Sequence, residues 1–500
     1  MIKNEVGRGA IYLYIQLISS MISGYIFLIL LARITTTEII GTFSLVVSIS
    51  EIFANIAIIG MPDVIQRFLG KSFLQNKVAD AKVFVKISLI FLSVSIITSC
   101  AVILFLRDWL SDVFGIGFNL IIVVVLLVAS YAVYSLLYSI VIAFLKTKLL
   151  ALIIIISSVA KVTLATSLVL MGTGVLGLSL GYTFFAQVLS SILLGVVITK
   201  TLKSSGDFKK PEVSSRVASK NLLKGGVVVW IPVLIATIGI DLGTLVLYNI
   251  YGSSQSGMYF VTLAILNAIN AVMYAIYAIS LPILSSMTDG RKRFAWQTIR
   301  LSSIVVLPLS SSIIFYSKNI MQLIGSNYIE GSLPLQILLV SSLPIIVLTG
   351  ISTLVFSYGQ YRYTLLIELA LNIPRTVLYF TLVPIFGMTG VAMSYTIGTA
   401  IGFIISTVIA KRIALIIFWK SLALTLVIPI SIAFVFSTLN VNYIVGIVAT
   451  ITISYLLLMK LHVVAKSDIS YLIALLPDQI SKVLIMILCR LKKIISRFYR

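Results

Sequence analysis

Apolar runs of twenty residues or more recur along the whole chain, broken only by short polar stretches. A helix crosses the ~30 Å hydrocarbon core of a bilayer with ~20 apolar residues. Only structures that satisfy their own backbone groups persist there. Fourteen runs meet that need: 9–32, 39–61, 83–105, 117–144, 148–171, 175–199, 225–248, 257–283, 297–316, 332–357, 362–384, 389–410, 414–437 and 440–460. The expected fold class is an all-α polytopic membrane protein of about 14 transmembrane helices, or twelve to thirteen if one of the last two runs does not span. Composition closes the other routes: 60% of the residues are apolar, 10% are charged and mean hydropathy is +1.15. A soluble chain runs about 45–50% apolar and ~25% charged, so this one has too little polar surface for a water-soluble globule. The first run is too long for a signal peptide, lacks a small-x-small cleavage site and is read as an uncleaved span. Two cysteines (Cys100, Cys489) and one histidine (His462) offer no metal cage, disulfide framework or histidine-based triad. No cofactor is expected.

The cations fix the expected orientation. With the N-terminus inside, 32 of the 37 Lys and Arg fall in inner loops, tails and the inner ends of spans, three (Arg33, Arg107, Lys318) in outer loops and two (Lys161, Arg375) deep within spans. Positive charge gathers on the cytoplasmic side of membrane proteins, so both termini are expected in the cytoplasm of a cell-membrane protein. The net charge of +22 is then a topology and anionic-lipid signal, not a nucleic-acid footprint. Outer loops are short, the longest being 317–331. The longest inner loop, 201–224, is basic and serine-rich and reads as a linker.

A weak repeat runs at an offset of 216 residues: Gly41 and the eight residues after it align with Gly257 and its successors, and Gly174-Val-Leu-Gly aligns with Gly390-Val-Ala-Met. This favours a duplicated six-helix unit, with 1–200 as one lobe, 225–412 as the second, two further helices over 413–460 and a basic tail over 461–500. An even helix count makes the copies parallel repeats about an axis along the membrane normal, with substrate between lobes near the midplane.

Four stretches carry a family resemblance. Residues 30–49 (LLARITTTEIIGTFSLVVSI) and 52–71 (IFANIAIIGMPDVIQRFLGK) resemble the first hairpin of the polysaccharide biosynthesis or oligosaccharide flippase family. Residues 225–262, with an Asp inside a helix and Gly-x-Tyr after it, resemble the start of its second lobe, and 357–398 resemble its C-terminal region. This is the Wzx-like branch of the MATE-like, or MOP, transporter superfamily. The resemblance implies a V-shaped pair of lobes that flips a lipid-linked oligosaccharide from the cytoplasmic to the outer leaflet.

Five charged residues lie inside spans: Glu51, Lys161, Asp241, Glu368 and Arg375. Each costs at least ~2.5–3.5 kcal/mol facing lipid, so they are expected to face a wet cavity or one another. Lys161 and Arg375 sit at similar depth in corresponding helices, yet the 216 offset maps Lys161 to Val377, two residues from Arg375, unless Pro374 re-aims the side chain. Pro374 should also kink its helix. Two such cations would line a cationic cavity for phosphate or pyrophosphate, with Arg33 marking a mouth. Glu51, Asp241 and Glu368 are candidate ion-coupling residues, for H⁺, Na⁺ or the membrane potential, or pairing partners of the cations. Tyr259, Tyr274 and Tyr277, with Asn267 and Asn270 between them, offer aromatic and amide groups for sugar or for helix contacts. Residues 478–500 place apolar residues on one stripe among six cations, a basic amphipathic helix for the inner leaflet or a docking site for a glycosyltransferase.

The leading expectation is a flippase for a glycan on a polyprenyl or dolichyl phosphate or pyrophosphate carrier. It would serve surface polysaccharide or glycoprotein assembly, with membrane lipids and glycosyltransferases or a polymerase of the same route as partners, and no nucleic acid. The alternative is a MATE-like ion-coupled exporter of drugs or small molecules, kept open by three buried acids. A membrane glycan ligase or polymerase needs a catalytic base and a large outer loop, and neither is visible, so no enzyme is expected.

Overall fold

The computed structural model describes residues 12, 16, 19–20, 23–24, 26–27, 29–75, 77–204, 211 and 213–463. The described residues are helical throughout and contain no strand. After a first helix that is only partly described come α1 (Thr37–Ile58), α2 (Met61–Leu74), α3 (Val78–Phe105), α4 (Arg107–Phe114), α5 (Phe118–Ala143), α6 (Thr147–Leu170) and α7 (Gly174–Ser179). A π-helical turn, Leu180–Phe185, leads into α8 (Ala186–Ser204). Then follow α9 (Ser215–Ser286), α10 (Arg291–Phe315), α11 (Ser317–Ile324), a 3₁₀ turn (Ser326–Gly331), α12 (Ser332–Val340), α13 (Ser342–Ser357), α14 (Tyr361–Arg412), α15 (Trp419–Thr438) and α16 (Tyr443–Lys460).

Ten helices among the described residues are long and apolar enough to cross a membrane, eleven if the bent pair Ser326–Val340 and Ser342–Ser357 is one span. Two of the ten exceed one crossing. At 1.5 Å per residue the 72 residues of α9 reach ~108 Å and the 52 of α14 ~78 Å, against a ~30 Å core. Each leaves helical geometry at one glycine, Gly252 (φ 80°, ψ −174°) and Gly387 (φ 56°, ψ −133°). A positive φ is open to glycine because it has no Cβ. The runs expected at 225–248 and 257–283 flank Gly252, and those at 362–384 and 389–410 flank Gly387. In α14 only Gly387 departs from helical φ/ψ, although Pro374 lies within the same helix. The expected span 9–32 and linker 201–224 lie partly outside the described residues, and the amphipathic segment 478–500 and Cys489 wholly so.

The expected loop 317–331 is helical instead: α11 and the 3₁₀ turn bury Met321, Ile324 and Tyr328. Residues 107–114 likewise form the short helix α4, which buries Leu110. An amphipathic connector that buries apolar groups gains more as a helix than as solvated coil.

The chain divides into two compact units, Met1–Val261 with Asn372–Ser394, and Thr262–Leu371 with Tyr395–Arg500. In the first, α5 packs against α1, α2 and α8, and two apolar clusters fill the interior. Met61, Ile65, Leu69, Leu136, Ile140 and Phe144 centre one of them. Leu45, Val46, Ile49, Ile103 and Val128 centre the other.

Helix α1 also runs antiparallel along the first part of α9. The Trp230 indole donates to the Asn55 carbonyl at 2.7 Å, Ser48 donates to Asp241 Oδ1 at 2.9 Å, and the Thr42 and Tyr248 hydroxyls lie 3.4 Å apart. Glycines sit at both ends of this seam. Gly60 and Gly226 approach so closely that a Cβ on Gly60 would meet the Gly226 carbonyl oxygen. At the other end Gly41 meets Gly257, the pair that the 216-residue offset aligns. A Cβ on Gly41 would strike the Ser253 carbonyl and lie 2.9 Å from Gly257 N, and a Cβ on Gly257 would strike the Thr37 carbonyl and lie 2.8 Å from Gly41 N. Hydroxyl pairs flank the crossing, Thr37–Ser254 at 3.0 Å and Ser44–Ser256 at 3.1 Å. Small residues and hydroxyls are what close helix packing uses in a bilayer, where apolar burial does not distinguish protein from lipid.

In the second unit α10 lies at the centre, against α13, α15 and α16. Its serines Ser302, Ser303 and Ser310–Ser312 are buried, so neighbouring helices come close. Tyr277 donates to the Ile346 carbonyl at 2.6 Å, and Gly446 of α16 leaves room for the Tyr316 hydroxyl.

Candidate functional site

A cavity of about 390 Å³ lies within the first unit. It is walled by the first helix, α1, α5, α6, the π-helical turn, the start of α8 and Phe260. Its size lies in the range of small-molecule sites, roughly 300–1,000 Å³. Among the described residues its charged lining is Glu51 of α1 and Lys161 of α6. Tyr131 and Tyr134 of α5, Gln187 of α8 and a set of serines supply hydroxyl and amide groups. Ser130 donates to Gln187 Oε1 at 2.6 Å, and the Ser157 and Ser190 hydroxyls lie 2.7 Å apart, which fixes two walls.

Lys161 makes no ion pair among the described residues. Its ammonium lies over the ring of Tyr182, 4.8 Å from the centroid. Tyr182 stands on the π-helical turn, whose extra residue per turn shifts the side-chain register from that of an α-helix. Phe27 stacks on the ring at 4.1 Å and 13°, and Phe43 meets its edge at 6.0 Å. Gly181 allows this placement, because a Cβ there would lie 2.6 Å from Ala165 Cα on α6.

Glu51 lines the cavity without a carboxylate partner bond among the described residues. Three residues earlier on the same helix, Ser48 bonds Asp241, which is 9% exposed. The two acids are thus one helical turn apart along α1, with Asp241 sealed in the seam and Glu51 open to the cavity.

The expected cationic pair does not assemble in this cavity. Arg375 is 1% exposed and its Nη1 donates to Asn372 Oδ1 at 3.3 Å. Asn372 lies against Gly239 of α9, and one turn beyond Arg375 the Tyr379 hydroxyl donates to the Gly239 carbonyl at 2.9 Å. Arg375 therefore belongs to a helix–helix seam. The reason was visible in the repeat: Val377, the counterpart of Lys161, is 59% exposed, and two residues rotate a helical side chain by ~200° to the opposite face. Pro374 does not undo that rotation. Arg33 is exposed and is not part of the cavity lining. Glu368 is half-buried in the second unit. The tyrosine and asparagine group on α9 divides: Tyr259, Tyr277 and Asn270 are buried, whereas Tyr274 is 46% exposed. Asn270 and Tyr274 thus do not form one sugar-facing surface.

Tyr182, Tyr131, Tyr134 and Gln187 carry no sequence signal for this role. The π-turn that aims Tyr182 exists only in the backbone, and the cavity side of α5 reads as an ordinary apolar helix.

The fold and this intramembrane cavity define a multi-pass membrane transporter architecture. Residues 6–288 match the profile of the family described as "Polysaccharide biosynthesis protein". The chain belongs to that family. No curated relative matches the sequence. Among solved structures, the lipid II flippase MurJ in an inward closed conformation aligns with a TM-score of 0.69 at 14% identity, covering 91% of this chain and 98% of that one. An inward-facing multidrug resistance MATE family transporter of the MOP superfamily aligns at 0.61 and 15% identity, covering 82% and 98%. The MATE multidrug transporter DinF-BH aligns at 0.56 and 17% identity, covering 82% and 94%. At these identities the likeness is one of fold: the all-helical polytopic fold of MOP-superfamily transporters.

Proposed function

We propose that this protein flips a lipid-linked oligosaccharide, carried on a polyprenyl or dolichyl phosphate or pyrophosphate, from the inner to the outer leaflet by alternating access. The supporting observation is Lys161. A lysine inside a span that faces a cavity, with no carboxylate partner among the described residues, is costly, and its cost is offset when an anionic group enters. The hydroxyl- and amide-rich walls suit sugar. The lobes over 1–200 and 225–412, the added helices over 413–460, cytoplasmic termini in the cell membrane, and glycosyltransferase or polymerase partners remain parts of the same reading, supported by the repeat and the cation distribution. Glu51 and Asp241 are its coupling candidates for H⁺ or Na⁺.

The test is transport of labelled lipid-linked glycan in proteoliposomes by the native chain and by Lys161→Gln. A loss of tenfold or more at normal expression is expected; undiminished transport refutes the reading. One observation favours a second reading, an ion-coupled exporter of cationic small molecules: Glu51 is open to the same cavity. In that case Glu51→Gln abolishes export of a cationic dye and Lys161→Gln does not.

A further inference from the structure

The ring of Tyr182 has both faces taken. Phe27 covers one at 4.1 Å and nearly parallel, so the Lys161 ammonium, 4.8 Å from the centroid, occupies the other. Phe43 packs nearly perpendicular to the ring at 6.0 Å. Tyr182 is therefore no stacking platform for a sugar, although it lines the cavity. It is the resting partner of Lys161.

Its position is built rather than incidental. Lys161 and Ala165 are four apart on α6 and share a face. Gly181 packs on Ala165, and a Cβ there would lie 2.6 Å from Ala165 Cα and 2.7 Å from its N. The residue after Gly181 is Tyr182. One backbone contact thus fixes the ring one helical turn from the lysine it receives. Thr183, the next residue, donates to the Ser179 carbonyl and ties down the π-turn.

The contact has the right strength for a latch. An ammonium over an aromatic face is held by the ring quadrupole, a weaker hold than a charge-assisted hydrogen bond to an oxyanion. The cavity also holds Glu51, the other group that would take a free ammonium. A lysine paired with Glu51 would leave the cavity with no charge to offer. A lysine parked on a ring keeps its charge available.

We propose that Tyr182 is a positioning residue: the π-helical turn holds its ring beneath Lys161, parks the ammonium away from Glu51, and yields it to an oxyanion of the incoming head group. That oxyanion is a phosphate of the lipid carrier or a carboxylate of an acidic sugar. The identity of the ligand rests on the flippase reading; the parking of Lys161 does not.

The test is ¹³C NMR of the full-length protein in nanodiscs after reductive methylation of its lysines, with the Lys161 line assigned by its absence in Lys161→Arg. A dimethylammonium above a ring is shifted upfield by the ring current. The native protein shows that shift, Tyr182→Phe keeps it, and Tyr182→Leu loses it. Inorganic phosphate and glucuronate are titrated separately. Movement of the line toward the ordinary lysine position with phosphate assigns the carrier phosphate, and movement with glucuronate assigns a sugar carboxylate. Tyr182→Phe responds as the native protein does, whereas in Tyr182→Leu the line already sits at the ordinary position and does not move. An unshifted native line, or a Tyr182→Leu line that keeps the shift, overturns the parking role. A line deaf to both anions overturns the release step. A shifted, responsive line together with undiminished glycan transport in Lys161→Gln refutes the flippase reading alone.

Discussion

The crossing of Gly41 and Gly257 offers the sharpest test of the packing. In Gly41→Ala the new Cβ strikes the Ser253 carbonyl and lies 2.9 Å from Gly257 N, where an unstrained contact needs roughly 3.5 Å. The obstacle is backbone, so no side-chain rotation relieves it. Overpacking of this kind costs ~1–3 kcal/mol, and a rigid obstacle puts it at the upper end. Replacing glycine by alanine inside a helix returns ~1 kcal/mol. The net is about 2 kcal/mol against the close crossing, roughly a 30-fold drop in its population. The assay uses the hydroxyl pair beside it. Thr37 and Ser254 oxygens are 3.0 Å apart, so Thr37→Cys with Ser254→Cys, in a background with Cys100 and Cys489 replaced by serine, forms a disulfide whose rate reports the closed seam. Gly41→Ala and Gly257→Ala each slow that rate by about tenfold or more. Gly195→Ala is the control: nothing lies within 4 Å of its Cβ position, so it leaves the rate unchanged and raises stability slightly, by about 0.5–1 kcal/mol. Native cross-linking rates in both crossing variants would refute the close approach.

Three further outcomes follow from the same packing. Ser48→Ala removes the hydroxyl that donates to buried Asp241 and lowers thermal stability by ~1–3 kcal/mol in detergent, while Asp241→Asn, which keeps an acceptor, loses less; equal losses would count against the bond. Arg375→Ala empties a fully buried site and removes the donor to Asn372 Oδ1, with a loss of about 2–5 kcal/mol in thermal unfolding and no change in the phosphate or glucuronate response of the Lys161 line; an altered response would return Arg375 to the cavity. Gly446→Ala meets the Tyr316 hydroxyl and destabilises by ~1–3 kcal/mol, and Tyr316→Leu in the same chain recovers most of it, a coupling that a double-mutant cycle measures.

The membrane architecture was legible because hydropathy and cation placement follow from the bilayer itself, whatever the tertiary contacts. The breaks at Gly252 and Gly387 fall in the gaps left between apolar runs for the same reason. The offset of 216 aligns Gly41 with Gly257, and the two glycines meet. The same offset held the information that separates Lys161 from Arg375. Depth along a helix comes from counting residues, but facing comes from the phase of the helix, and a two-residue difference reverses it. Arg375 matches Lys161 in depth but not in phase, and the cavity expectation needed Pro374 to re-aim it; its phase instead carries it into the seam with Asn372, Gly239 and Tyr379. Lys161 lines the cavity with its ammonium over the ring that the π-turn supplies, and it makes no ion pair among the described residues. A sequence pattern built on 3.6 residues per turn has no place for that extra residue, so Tyr182 stayed silent until the backbone was seen. Charges inside a bilayer therefore divide into two kinds that composition cannot tell apart. Those held by hydrogen bonds within a seam stabilise the packing. Lys161, which makes no ion pair among the described residues and lies over the Tyr182 ring, is the charge that the proposed function would exchange for an anionic head group.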